Sequence, residues 1–279
     1  MIISPMYFIF DIGGTKARFA TSSDGKNLSE PRIVPTPKDF QEGLQTIKQI
    51  ADELSKGQKI EVISGGVAGP LSQDKSMLVS SPHIGGWINK PLKTELEKLF
   101  NAPVHLEHDA DLATLGEAVV GAGKGREIVT YLTISTGVGG GRVVKGKIDE
   151  NALGFEPGHQ IIVPFGDPCN CGGQGHLESY VSGSGLERKY GKKAEDLDDP
   201  YVWEKVAEYL AMGLNNVTVF WSPDIIVLGG SVMQSIQIET LRVKFKDILT
   251  IFPTPPVITL SNLGDSAGLY GALALHPFS

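Results

Sequence analysis

Glu156, His159, Cys169, Cys171, His176 and Glu178 crowd into one short, loop-rich stretch that holds both cysteines of the chain and two of its six histidines. Two thiolates and two imidazoles make a closed tetrahedral donor set for zinc, which takes Cys sulfur and His nitrogen in structural sites. The glycines around Cys169-Asn-Cys-Gly-Gly-Gln-Gly-His176 suit the tight turns such a site needs. Neither Glu156 nor Glu178 suits that donor set, so both are expected to accept hydrogen bonds from something polar held beside the metal. The alternative is a solvated loop with an unpaired Cys-x-Cys and scattered histidines.

A second kind of chemistry is written twice. Tyr7–Phe10 is an apolar strand, Asp11-Ile-Gly-Gly-Thr15 a Gly-rich turn, and Lys16–Thr21 a returning strand. Farther on, Ile128–Ile134 is a β-branched strand, Ser135-Thr-Gly-Val-Gly-Gly-Gly141 a Gly-rich turn, and Arg142 starts another strand. Glycines let backbone amides ring phosphate oxygens, and Thr15, Ser135 and Thr136 add hydroxyl donors. Taken singly, each is equally readable as a tight β-turn. Neither turn carries the G-x-x-x-x-G-K-[ST] loop, and the glycines at 137–141 precede a strand rather than opening a helix, which excludes a dinucleotide-binding fold.

These motifs need a scaffold. Phe40, Leu44, Ile47, Ala51 and Leu54 have helical spacing, followed by a strand over Lys59–Val67. Pro91 opens a helix to about Phe100, Pro103–Glu107 reads as a strand, and Ala110–Val120 as a helix. After the Cys/His segment come a helix near Tyr201–Phe220, a strand Asp224–Leu228 ending in Gly229-Gly230, a helix near Leu241, a strand near Val257 and a helix from about Ser266. Strands alternating with helices in each half predict an α/β protein of two duplicated lobes with a cleft between them. The length of 279 residues allows two such lobes. A net charge of −7 argues against a polyanion-binding surface. Two cysteines exclude a disulfide framework, and a reducing, cytoplasmic setting is expected, with no basic leader and no apolar run of membrane-spanning length.

Together, Asp11-Ile-Gly-Gly-Thr-Lys16, Ile134-Ser-Thr-Gly-Val-Gly-Gly-Gly141, Glu156-Pro-Gly-His159 with the following Cys-x-Cys-Gly run, and Ala267-Gly-Leu-Tyr-Gly-Ala272 resemble the ROK family of sugar kinases over nearly the whole chain. The resemblance implies two actin-like (ribonuclease H-like) lobes, a small one of residues 1–108 plus about 266–279 and a large one of 109–265 carrying the zinc loop. It implies an ATP-dependent hexose kinase acting on a 6-hydroxyl, with glucose favoured over N-acetylhexosamines and fructose. Structural zinc, magnesium with ATP and a homodimer are likewise implied. Sugar-responsive repressors of the family carry an N-terminal helix-turn-helix, for which Met1–Met6 leave no room ahead of the first expected strand.

Carried over, Asp109 in Glu107-His-Asp-Ala-Asp111 takes the slot of the catalytic base, a role that an alcohol nucleophile also demands on chemical grounds. The same residue is a candidate helix N-cap. Glu107 and Asp111 are expected to raise its carboxyl by like-charge repulsion if they point the same way. Glu156, His159 and Glu178 match the sugar-hydroxyl ligands. His159, Cys169 and Cys171 match zinc ligands, and His176 stands where a third Cys is usual. Asp11 is expected at magnesium, through water. Gly13, Gly14, Thr15, Thr136, Gly137 and Gly139 are expected on phosphate, and Gly229, Gly230 and Gly268 around the nucleoside. His83 and His108 stand where Asn is common and face the sugar in relatives, so each is either a near-isosteric replacement or a specificity device.

Overall fold

The computed structural model describes residues 5–81, 84–151 and 153–276. The chain forms two compact units. The first holds strands β1 (Met6–Ile12), β2 (Lys16–Ser22), β3 (Arg32–Pro35), β4 (Ile60–Val67) and β5 (Val104–His108), in the order β3-β2-β1-β4-β5. The pairs β1–β2 and β2–β3 are antiparallel, whereas β1–β4 and β4–β5 are parallel. Its helices are α1 (Phe40–Ser55), α2 (Leu92–Phe100) and α3 (Asp109–Val119).

The elements follow from local chemistry. Asp39 caps α1 by accepting from the Gln41 and Glu42 amides, and Phe40, Leu44, Ile47, Ile50 and Ala51 form the buried stripe of that helix. The core gathers Phe8, Phe10, Phe19, Ile47, Ile63 and Trp87. The Trp87 indole donates to Pro37 O at 3.0 Å, which satisfies its one buried polar atom.

The second unit repeats the plan with β6 (Ile128–Ile134), β7 (Val138–Val144), β8 (Lys147–Ile148), β9 (Ile225–Gly229) and β10 (Val257–Leu260), ordered β10-β9-β6-β7-β8. Again the hairpin pairs are antiparallel and the crossover pairs parallel. Helices α4 (Glu178–Val181), α5 (Gly183–Tyr190), α6 (Pro200–Trp221) and α7 (Ile238–Ile248) complete it. Leu132, Leu177, Leu210, Leu214, Ile226 and Leu241 lie in its core. The identical strand order and directions bear out the duplicated α/β expectation.

The last helix, α8 (Ala267–Ala274), returns to the first unit and packs on α3. A Cβ on Gly116 of α3 would stand 2.1 Å from Ala267 O, and one on Gly271 of α8 would stand 1.8 Å from Leu112 O. Backbone meets backbone across these paired glycines. That contact explains why Asp109–Val119 belongs with residues 1–108, so the first unit runs to Val119, with 150–154 and 265–279 added, rather than ending before Asp109.

Two local readings differ from expectation. The run Val138–Gly141 is the start of β7 rather than part of the turn, which is confined to residues 135–137. A Cβ on Gly140 would meet Tyr131 O at 2.6 Å and Pro157 Cγ at 2.9 Å, so these glycines serve close packing within extended backbone. The short elements β3, β8, α4 and α5 were not anticipated. Among the described residues, no helix is long and apolar enough to cross a membrane.

Candidate active site and metal centre

In the first unit the Asp11 hairpin forms as read. Gly13 N donates to Lys16 O at 3.1 Å and closes the turn. Thr36 Oγ1 donates to Gly13 O at 2.8 Å, Lys38 Nζ to Gly14 O at 2.9 Å, and Thr36 N to Thr15 O at 3.0 Å. The turn is therefore held by its carbonyl oxygens. The amides of Gly14 and Thr15 have no acceptor among the described residues, which leaves that edge able to meet an anion. Lys16 is exposed at the start of β2.

Asp11 pairs in register with Arg18 across the hairpin. Arg18 in turn donates to Asp265 Oδ2 at 2.5 Å, while its Nε is buried without a partner among the described residues. Burial, reinforced by the charge of Asp109 and only partly opposed by Arg18, pushes the Asp11 carboxyl up to about 7. A Cβ on Gly268 would lie 3.0 Å from Asp11 Oδ2, so within this unit Gly268 makes room for that carboxylate.

Asp109 begins α3 directly after β5. Its Oδ1 accepts the Ala110 amide at 2.8 Å, and His108 Nε2 stands 3.3 Å from the same oxygen. Burial raises the Asp109 carboxyl, against the pull of His108, although its side chain keeps 34% of its surface exposed. The flanking acids were expected to raise it by repulsion. Instead, Glu107 turns away to pair with Lys75, and Asp111, 5% exposed, is itself pushed up to about 6, chiefly by burial. On β4, Gly66 allows the approach of Asp109, since a Cβ there would be 3.2 Å from the Asp109 Cα. His83 lies outside the described residues.

In the second unit the donor atoms of His159, Cys169, Cys171 and His176 all lie within 4.8 Å of one another. His159 Nδ1 and His176 Nδ1 are 3.4 Å apart, Cys169 Sγ is 3.7 Å from His159 Nδ1, and Cys171 Sγ is 3.3 Å from His176 Nδ1. Tetrahedral bonds of about 2.0–2.1 Å to nitrogen and 2.3 Å to sulfur give edges of about 3.4 Å between nitrogens and about 3.6 Å between nitrogen and sulfur. Those three separations lie close to these edges, and all four donors stay within 4.8 Å of one another, so the donor set fits zinc. Both thiols are free rather than bridged.

The loop is built to place these donors. His159 ends a short 3-10 turn that Pro157 opens after Glu156, and His176 is bridged to Ile161. Cys169 N donates to Gly173 O at 2.8 Å and Gly172 N to Cys169 O at 3.0 Å, with Gly172 at φ 92°, where a side chain would be strained. Glu156 is exposed.

Glu178 has a role that the motif alone did not show. Its Oε2 accepts the Val138 amide at 3.0 Å, and Cys169 Sγ lies 3.7 Å from its Oε1. It thereby ties the donor loop to the Gly-rich turn. A Cβ on Gly137 would come within 2.7 Å of the same carboxylate. Ser135 and Thr136 carbonyls accept the Gly183 and Ser184 amides at 2.7 and 3.1 Å, so that turn, too, is held from behind. Gly139 lies in β7 opposite Thr133. Gly229 and Gly230 pack on β6, where Cβ atoms would stand 2.3 Å from the Tyr131 hydroxyl and 2.2 Å from Ile134 O.

The partners of Asp11 were missed in the sequence. Arg18 was findable, because a hairpin closing between Gly13 and Lys16 sets Asp11 opposite residue 18. Asp265, far along the chain, carried no such signal.

Two α/β units of one topology, one presenting an acid at a Gly-rich turn and the other a Cys/His donor cluster, define the actin-like class of two-unit proteins. The chain belongs to the ROK family, whose sequence profile matches residues 7–278. It is 28% identical to a glucokinase of Thermotoga maritima, with 95% of each chain covered. Its fold is similar to that of a ROK hexokinase from Thermus thermophilus, with TM-score 0.87, 32% identity and 96% and 97% of the two chains covered. It is also similar to a ROK family glucokinase from Streptomyces griseus in complex with glucose and AMPPNP, with TM-score 0.81, 27% identity and 97% and 98% covered. At 28% identity, with at least 93% of every chain covered, relatives include a putative fructokinase of Bacillus subtilis and an N-acetyl-D-glucosamine kinase of Yersinia pseudotuberculosis.

Proposed function

We propose that the chain is an ATP-dependent hexose kinase that phosphorylates glucose at the 6-hydroxyl. The observation that carries this reading is Asp11 at the mouth of the Gly-rich hairpin together with Asp109 at the start of α3, two carboxyls that burial raises, the charge of Asp109 adding to the rise at Asp11. Buried, like-charged acids suit a site that receives a divalent cation and a proton.

In the proposed reaction Asp109 takes the proton of the sugar hydroxyl. The hydroxyl oxygen forms its bond to the γ-phosphorus, the bond from that phosphorus to the β–γ bridging oxygen breaks, and ADP leaves. The amides of Gly14 and Thr15 and the hydroxyls of Thr15 and Thr136 are assigned to the phosphates, with Gly13, Gly137 and Gly139 allowing their close approach and Gly229, Gly230 and Gly268 near the nucleoside. Asp11 would hold magnesium through water, and that ion would supply charge to neutralise the phosphates. Glu156 and Glu178 accept hydrogen bonds from sugar hydroxyls, and His159, whose Nδ1 faces the metal donors, donates its other ring N–H to the sugar, with His83 also assigned to sugar contact. Zinc on His159, Cys169, Cys171 and His176 fixes the loop that carries them.

Glucose is the preferred sugar in this reading because glucokinases recur among the relatives, although fructokinase and N-acetylglucosamine kinase occur at like identity. Coupled ADP release with glucose, mannose, fructose, N-acetylglucosamine and N-acetylmannosamine tests it. Glucose is expected to give the highest kcat/KM. A tenfold preference for another sugar overturns the choice of substrate, and ADP release that no sugar stimulates overturns the kinase reading.

A further inference from the structure

His108 occupies a slot where the family resemblance implies contact with the sugar, but its imidazole has nearer business. Nε2 stands 3.3 Å from Asp109 Oδ1, and Nδ1 stands 4.0 Å from Asp111 Oδ2. The ring is thus flanked by two carboxylates of the following helix turn. Its backbone is fixed as well, since the His108 amide donates to Glu107 Oε1 at 3.1 Å, and Glu107 is anchored by Lys75.

The geometry points to His108 as a positioning residue for Asp109, orienting the carboxylate of the proposed base and setting the acid side of its pH dependence, rather than as a reader of sugar hydroxyls. Three observations carry this inference, which rests on the kinase reading above for its catalytic meaning. First, Oδ1 of Asp109 accepts the Ala110 amide at 2.8 Å and lies 3.3 Å from the imidazole, so the carboxylate is held by that oxygen from two sides. Second, Asp111 is buried with its Oδ1 lacking a hydrogen-bond partner among the described residues, an arrangement that a cationic neighbour at Oδ2 offsets. Third, an Asn in this slot would offer the base at most a neutral amide hydrogen bond, whereas an imidazole that carries a proton adds charge to that contact and so acts on the protonation of the base more strongly.

The groups acting on Asp109 from each side are few. His108, at the end of β5, acts on Asp109 directly, while Asp109 itself raises Asp11 on β1 and Asp111 on α3, with Arg18 and Asp265 acting on Asp11 and with Glu107 and Lys75 acting on Asp111. The β4 strand brings Gly66 there, and α8 carries no charged residue, Tyr270 being its one titratable group. Of these groups His108 is the one that lowers the Asp109 carboxyl by its charge.

The test is the pH profile of kcat/KM for the best sugar in wild type, His108→Asn and His108→Gln, with the sugar panel repeated for each. Loss of the imidazole should move the acid limb to higher pH, so that activity at pH 6 relative to pH 8 falls by about threefold or more beyond the wild-type ratio, with the order of sugars unchanged. Superimposable profiles, or a tenfold change in sugar preference without movement of the limb, overturn the proposal. A purely structural role would lower activity equally at every pH. An activity-free readout follows the Asp109 carboxyl by carbon-13 NMR in aspartate-labelled protein, assigned with Asp109→Asn. That resonance should titrate at higher pH in both His108 variants, and an unmoved titration sinks the inference. If the wild-type protein turns over no sugar, the kinase reading fails, and the carboxyl titration still decides the role of His108.

Discussion

Replacing Gly271 by Ala tests whether the backbone contact between α3 and α8 holds Asp109 in place. The new Cβ would stand 1.8 Å from Leu112 O, and carrying that pair out to 3.0 Å moves the helices apart by about 1.2 Å. Overpacking of this kind costs about 1–3 kcal/mol, and a backbone oxygen cannot swing aside as a side chain can, so the upper end applies. Helix propensity returns about 1 kcal/mol for Gly→Ala, leaving a net loss of about 2 kcal/mol. Because α3 begins at Asp109, the same displacement shifts the proposed base. A misplacement of about 1 Å costs on the order of 10²-fold in turnover. Urea unfolding followed by circular dichroism, together with ADP release, measures both effects. Gly85→Ala is the control, since a Cβ there meets nothing within 4 Å, and it should stay within about 0.5 kcal/mol of wild type. Wild-type stability and turnover in Gly271→Ala would refute the claim that this contact positions α3.

Cys169→Ser should lose bound zinc and weaken sugar affinity, because Glu178 touches both the donor loop and the Val138 amide; elemental analysis and sugar titration report these separately, and full zinc content in the variant contradicts the donor assignment. Asp11→Asn should raise the melting temperature at pH 8 without magnesium while lowering kcat/KM. The sign follows from a folded carboxyl near 7 against about 3.8 unfolded, so stability is lost as pH rises through that interval and a neutral amide escapes the loss. An equal or lower melting temperature would contradict it. His276 is lowered by burial and by the nearby His105, and its Nε2 lies 2.7 Å from buried Ser64 Oγ. Its neutral form is favoured on folding, so that contribution is present above pH of about 6.5 and lost as pH falls below it. The urea midpoint should therefore drop less between pH 7.5 and 5.5 in His276→Gln than in wild type, and equal drops would remove His276 from the account.

The hairpins and their acid were legible because a period-2 apolar pattern on either side of clustered glycines leaves few other folds, and α1, α6 and the central strands followed from periodicity. The donor set was legible from residue type and spacing alone. What sequence could not show depends on contacts between distant segments. The pairing of α3 with α8 turns on Gly116 and Gly271 lying over each other's partner helix, which no local pattern reveals. Likewise, Asp265 meets Arg18 from the far end of the chain, and Glu178 is drawn to Val138 by the way the donor loop folds back. The rise in Asp109 was expected from like charges, yet burial dominates, because Glu107 finds Lys75 instead.

The account stands most directly on the turnover of Asp109→Asn with ATP and glucose, measured beside the binding of glucose to the same variant. Removing a general base while keeping the side-chain shape should lower kcat by about 10²- to 10⁴-fold with the fold and glucose affinity retained. A loss of less than about tenfold in a normally folded variant would contradict the assignment of Asp109 as the base.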